Sequence, residues 1–278
     1  MVKYRLCAFA DEADASLDGQ IAALRRNSID LIELRGIDGV NVSQITPKQA
    51  GEYAKRLWDA GIEIWSIGSP VGKSEITADF SAELDRFRRL IEIAHICRAK
   101  CMRIFSFYGT DGRPEYRDEV MYRLSRFVEE SDGSGVVLCH ENEKGIYGDT
   151  APRCAEIHAA LPQLKAVFDP ANFVQCGQDI LEAWNMLEGY VYYGHIKDAD
   201  KTGRVVPPGE GVGRLAEYLP HFFKGGRNVL TLEPHLARFV GLSGLEHGDR
   251  GIGSARFGNA GEAFDYAVSA LRNILEKI

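Results

Sequence analysis

Four short apolar runs each end in a side chain able to bind a metal. They are Gly135-Val-Val-Leu-Cys-His-Glu141, Lys165-Ala-Val-Phe-Asp169, Tyr190-Val-Tyr-Tyr-Gly-His195 and Val229-Leu-Thr-Leu-Glu233. Side chains alternate along a strand, so Val137, Cys139 and Glu141 share one face, as do Val167 and Asp169. By the same rule Tyr193, His195 and Lys197 line up, and so do Thr231 and Glu233. The four end residues lie 28, 26 and 38 positions apart, each gap fitting one strand–helix unit. Successive strands would then offer Glu141, Asp169, His195 and Glu233 to one point. Three buried carboxylates repel unless a cation, a proton or a basic partner joins them. Three oxygen donors and one imidazole suit one divalent metal ion, Mn2+ first, with Zn2+ and Co2+ next; Mg2+ is best served by an all-oxygen shell. A polar barrel rim without metal is the weaker account once all four fall on successive strands.

The chemistry such a centre supports is removal of a hydrogen beside a carbonyl, with the ion stabilising the developing enediolate. Two glutamates on opposite sides of a substrate could take the proton from one face and return it on the other. Glu141 and Glu233, separated by two ligand strands, fit these catalytic roles. Lys197 is placed either to contact a substrate oxygen or to pair with Asp198 or Glu210. Asn172, Glu210 and Lys73 complete the candidate substrate contacts. The loops after the first four strands would add Phe9, Asp11, Glu12, Arg35, Ser66 and Phe107, with no order among them. His235, just after Glu233, is placed either to face the pocket or, the stronger expectation, to be a loop histidine without a chemical role. His140 should point away from Glu141, and His95, His158 and His221 fall on predicted helices as structural residues.

The elements that must position these residues alternate strictly. Strands are predicted at 4–10, 30–35, 62–67, 101–107, 135–141, 164–169, 190–197 and 228–233. Helices are predicted at 16–28, 47–60, 79–98, 115–130, 150–161, 178–188, 213–223 and 260–277. Thr46 before Pro47 is a helix start, and Gly61 a helix end. Phe80, Leu84, Phe87, Leu90, Ile91 and Ala94 recur at helical spacing. The longest irregular parts, 198–212 and 234–259, both follow strands. Eight alternating units and no linker favour a single (β/α)8 barrel domain over 1–278, whose active site sits at the carboxyl ends of the strands.

The chain has 278 residues, is 45% hydrophobic and 26% charged, and carries a net charge of −7. Those values are ordinary for a globular protein and argue against a nucleic-acid partner. No run reaches the roughly 18 apolar residues of a membrane span. Asp11, Glu12 and Asp14 interrupt the apolar start too early for a signal peptide. The six cysteines form no C-x-x-C pair and read as buried, reduced thiols of a cytoplasmic protein. Gly68-Ser-Pro-Val-Gly-Lys-Ser74 imitates a phosphate loop with one residue too few, and Pro70 removes an amide. Gly209-Glu-Gly-Val-Gly213 reads as a plain tight loop, since Glu210 would oppose an anion.

His140-Glu141-Asn142, Asp169-Pro-Ala-Asn172, His195-Ile-Lys-Asp198, Pro208-Gly-Glu-Gly211 and Leu232-Glu-Pro234 resemble, in order and spacing, the xylose isomerase-like barrel superfamily. The likeness is to its sugar isomerase/epimerase branch and spans nearly the whole chain. It implies one divalent ion held by Glu141, Asp169, His195 and Glu233, with the two glutamates as an acid/base pair, and a small sugar or polyol-derived substrate. Asn172 stands where relatives often carry histidine, which implies a supporting or substrate hydrogen bond. The branch also contains inosose and dehydroshikimate dehydratases, so a lyase is the alternative. Apurinic endonucleases of the superfamily need further histidines where this chain has Trp65-Ser-Ile-Gly-Ser69, Arg103-Ile-Phe-Ser-Phe107 and Thr202-Gly-Arg-Val-Val206, so a nuclease is disfavoured. An inactive binding barrel is disfavoured by the complete ligand set. Relatives often pair or form tetramers, so a homo-oligomer is open.

Overall fold

Each predicted strand is rich in β-branched and aliphatic residues and is followed by a predicted helix, a pattern that winds a parallel sheet. A computed structural model of the chain describes residues 3–240 and 256–278. Eight parallel strands close into a barrel: β1 Arg5–Ala8, β2 Leu31–Leu34, β3 Glu63–Ile67, β4 Cys101–Ile104, β5 Val137–Glu141, β6 Lys165–Phe168, β7 Val191–Ile196 and β8 Val229–Leu232. Each pairs with its sequence neighbour, and β1 meets β8 with Cys7 beside Thr231. The fold expected from the alternation is the fold observed. The predicted irregular stretch 234–259 falls partly outside the described residues.

The helices between strands are α1 Leu17–Arg26, α2 Pro47–Asp59, α3 Phe80–Ile96, α4 Arg117–Ser131, α5 Ala151–Ala160, α6 Pro170–Gln175, α7 Ile180–Leu187, α8 Leu215–Lys224 and α9 Ala260–Leu275. Thr46 and Gln49 close a reciprocal capping box at the start of α2. Six-residue α6 lies outside the predicted helices. Its signal is Asp169-Pro170, an N-cap followed by proline in the first turn, and the Asp169 side chain accepts from Asn172 N.

Inside the barrel the side chains form layers, because every second residue of a strand points inward. A lower layer contains Cys7, Leu31, Cys101, Cys139, Val167, Tyr193 and Val229. Two residues further along, the same strands present Phe9, Glu33, Arg103, Glu141, Asp169, His195 and Thr231, so the interior turns from apolar to charged within one step of the pleat. All six cysteines are unbridged; five are buried, whereas Cys176 after α6 is half-buried rather than buried.

Candidate metal centre

Glu141 is the last residue of β5, His195 lies inside β7, and Asp169 and Glu233 directly follow β6 and β8. One donor atom from each lies within 4.8 Å of the others, and all four residues are buried. The predicted quartet is therefore brought together. Local hydrogen bonds fix its spacing. The Asn142 side chain pairs with both backbone groups of Asp169, each at 2.9 Å, which ties the end of β5 to the end of β6. Asn172 Nδ2 in turn donates to the Asn142 carbonyl at 2.9 Å, so this candidate substrate contact braces the ligand loop.

Cations surround the carboxylates. Lys197 Nζ stands 3.0 Å from Asp169 and 3.2 Å from Glu233. Neither Asp198 nor Glu210 is its partner, because Lys197 points into the barrel with His195. Arg103 lies 3.1 Å from Glu141 and 3.9 Å from Glu233, its guanidinium between the Phe9 and Phe105 rings. Arg35 donates to Asp11, Glu12 and Glu233. His235 faces the pocket, the weaker of the two expectations for it: it is buried, with Nε2 3.3 Å from Glu12 and 3.4 Å from Glu233. Glu12, Glu233 and His235 form a second potential metal group, but the Arg35 guanidinium already lies 2.9 Å from both of its glutamates.

Glu210 is a correction. The Asp198 carboxylate accepts from the amides of Ala199, Gly209, Gly211 and Gly213, so the glycine loop wraps around it and sends Glu210 outward. There Glu210, 42% exposed, pairs with Arg256 and Tyr266. The same wrapping explains why this loop has no free amides for phosphate. In the other glycine loop, Gly72 N donates to Glu83, while Lys73 pairs with Glu143 at 2.9 Å and sits over the Phe105 ring. His140 points away from Glu141, to Ser106 at 2.9 Å, and packs edge-on against His158.

The electrostatics fit a dication. Among the described residues, Asp11, Glu12, Glu33, Glu141, Asp169 and Glu233 are buried here against only three buried Lys and Arg cations, namely Arg35, Arg103 and Lys197. Burial pushes the Asp169 carboxyl up, and Glu141 and Glu233 add to this against Lys197, leaving it at about 6. Burial also opposes ionisation of Glu141, but His195 and Arg103 outweigh it and hold the acid at about 2. Both nitrogens of His195 face carboxylate oxygens. Burial disfavours the charged ring, yet Glu141 and Glu33 carry its pKa well above the ordinary histidine value. Asp169 Oδ2 and Glu141 Oε2 are buried and lie 3.0 Å from Lys197 and 3.1 Å from Arg103 as ion pairs, without a well-aligned hydrogen bond. Carboxylate oxygens beside an imidazole, with excess negative charge, suit a divalent ion.

Two residues of the centre escape the sequence reading, Glu33 and Arg103. Their signal is nonetheless present: each is a lone charged residue inside an apolar strand, on the inward parity of Leu31 and Cys101.

A closed parallel barrel with a carboxylate–imidazole cluster at the carboxyl ends of its strands defines the class. The sequence matches the xylose isomerase-like TIM barrel family over residues 21–256, and the chain belongs to that family. No curated protein matches the sequence. Among solved structures it is similar to a protein called IolI with a zinc atom (TM-score 0.76, 16% identity, 98% of each chain). It is also similar to L-ribulose 3-epimerase (0.75, 17%, all of this chain and 95% of that one). A third likeness is to the probable 3-DHS dehydratase AsbF of Bacillus anthracis (0.73, 19%, 98% and 99%). At these identities the likeness is one of fold.

Proposed function

We propose that the protein is a divalent-metal-dependent isomerase or epimerase of a small sugar, or of a sugar-derived ketose or hydroxy acid. Glu141, Asp169, His195 and Glu233 would hold the ion, with Mn2+ best matched to the donors and Zn2+, Co2+ or Mg2+ as alternatives. The observation that carries the reading is the pairing of Glu141 and Glu233. Both are buried glutamates in one donor cluster, on strands that are not neighbours.

When bound, the ion supplies Lewis-acid chemistry that lowers the cost of negative charge on substrate oxygens. The chain's residues supply the rest. Glu141 and Glu233 are both held ionised, which makes them ready to accept a proton but weak as bases, so the substrate hydrogen must be acidified by its surroundings. One glutamate takes the proton from the carbon beside the carbonyl; the other must first take up a proton from solvent or from a substrate hydroxyl, and it then delivers that proton to the opposite face while the first keeps the one it removed. Arg103 and Lys197 stand where they can donate to oxygen atoms that gain charge. Arg35 and His235 fix the far oxygen of Glu233. A dehydratase is the second reading, favoured by Lys197, whose buried ammonium between Asp169 and Glu233 is the donor a departing hydroxyl needs.

The test is metal content per chain by inductively coupled plasma mass spectrometry, followed by ketose panels in heavy water read by proton NMR. Near one Mn, Zn or Co per chain and deuterium entering the carbon beside the carbonyl are expected. A protein that binds no divalent metal even after soaking in Mn2+ would overturn the reading, and product lacking one water would favour the dehydratase.

A further inference from the structure

Glu33, in the middle of β2, is buried to the same degree as the metal-cluster residues but lies outside that cluster. Its Oε1 accepts from the Tyr193 hydroxyl at 2.8 Å and from Ser66 Oγ at 3.2 Å. Its Oε2 faces His195 Nε2 at 3.2 Å. A carboxylate oxygen accepts, so Nε2 carries the hydrogen in this contact. The opposite ring nitrogen, Nδ1, lies 2.8 Å from Glu141 Oε1 and 3.3 Å from Glu233 Oε2, inside the cluster. The ring is also boxed edge-on by Phe9 and Tyr193, with centroids 5.3 and 5.5 Å away.

We propose that Glu33 is the positioning residue of the centre: it holds His195 in the Nε2–H tautomer and at the ring angle that presents the Nδ1 lone pair to the ion. This rests on the metal reading above. Three strands cooperate, since Ser66 on β3 and Tyr193 on β7 hold the Glu33 carboxylate that orients His195. Carboxylates that accept from the far nitrogen of a metal-binding histidine raise its basicity and fix its tautomer, and their loss typically weakens metal affinity 10–100-fold. A glutamate that only filled a polar gap in the barrel would leave metal affinity unchanged when replaced by its amide.

The experiment uses the full chain and Mn2+ in competition with a chelator. Glu33→Gln has one acceptor oxygen for three donors and is expected to weaken Mn2+ about 10–100-fold. In 15N-histidine-labelled protein loaded with diamagnetic Zn2+ in place of Mn2+, His195 is expected to show the Nε2–H pattern in the parent and to lose it in Glu33→Gln. Unchanged affinity or an unchanged His195 pattern in the folded variant overturns the proposal. Should Glu33→Gln fail to fold, the double variant Tyr193→Phe/Ser66→Ala removes two of the three donors, and unchanged Mn2+ affinity there overturns it equally. A parent protein that binds no Mn2+ fails both this proposal and the functional reading, whereas a binding parent with an equally binding variant fails this proposal alone.

Discussion

Arg35, directly after β2, grips Glu233 beyond β8, with Nη1 2.9 Å from Oε1 across 198 positions of sequence. The same guanidinium serves Asp11 and Glu12 and lies over the Phe9 ring, 4.2 Å from its centroid. Removing one partner of a buried ion pair leaves uncompensated charge, at a cost of about 3–5 kcal/mol. Arg35→Met should therefore lower the urea midpoint strongly, because Asp11 and Glu12 lose their guanidinium, and more so in metal-free protein, where Lys197 must offset both Asp169 and Glu233. A midpoint within error of the parent would show that the network is not needed for stability.

Glu233→Gln keeps an oxygen donor for the ion but cannot accept a proton. Metal content should stay near that of the parent while turnover falls about 10²–10⁴-fold, the usual weight of a general base. Mass spectrometry of the metal and steady-state rates on the same preparation separate the two effects.

Metal binding should release protons. Burial lowers the His195 pKa, but Glu141 and Glu33 raise it well above the ordinary value, so the metal-free ring is expected to carry both hydrogens, and a ligand nitrogen must be bare. About one proton per ion is expected near pH 7. A second should be released in growing fraction as pH falls through about 6, where the raised carboxyl of Asp169 is half protonated. Calorimetry in buffers of different ionisation enthalpy reads the number directly, and affinity should fall as pH falls.

The buried pair His140 and His158 should make stability acid-sensitive. Burial holds His140 down to about 3 and His158 to about 4, below the ordinary value of about 6.5. A depressed histidine leaves the fold at full stability above its unfolded pKa. That stability is lost as pH falls from about 6.5 toward 4, by about 1.4 kcal/mol per pH unit for each ring. Urea midpoints of metal-saturated protein at pH 7.5 and 5 should differ, and His158→Gln should flatten the difference.

Gly211→Ala should destabilise the loop after β7. A Cβ there would stand 2.2 Å from Asp198 Oδ1 and 2.4 Å from the Ala199 carbonyl oxygen. Overpacking of this kind costs about 1–3 kcal/mol. A thermal shift of several degrees is expected, with metal affinity nearly kept, because the loop braces Asp198 and not a candidate ligand.

The barrel and its quartet are legible in the sequence because both are periodic. Strand parity puts Glu141, Asp169, His195 and Glu233 inward, and the alternation of elements puts them on four neighbouring strands, so local pattern is enough. Short α6 is signalled only by Asp169-Pro170, since six residues show no helical period. The partners of these residues are another matter. Parity places Lys197 on the correct face, but its choice of Asp169 and Glu233 over Asp198 depends on which charges the closed barrel leaves nearest. Glu210 goes outward because Asp198 captures the amides around it, and His235 turns inward to Glu12.

The sequence by itself determined the fold, the inward parity of each strand and the four candidate donors, because backbone geometry ties side-chain direction to position. Only the tertiary structure decided that Arg35, Arg103 and Glu33 belong to the same centre. Closure of β1 on β8 brings charges from opposite ends of the chain into one dry interior, where they must pair with whatever lies within a few ångströms.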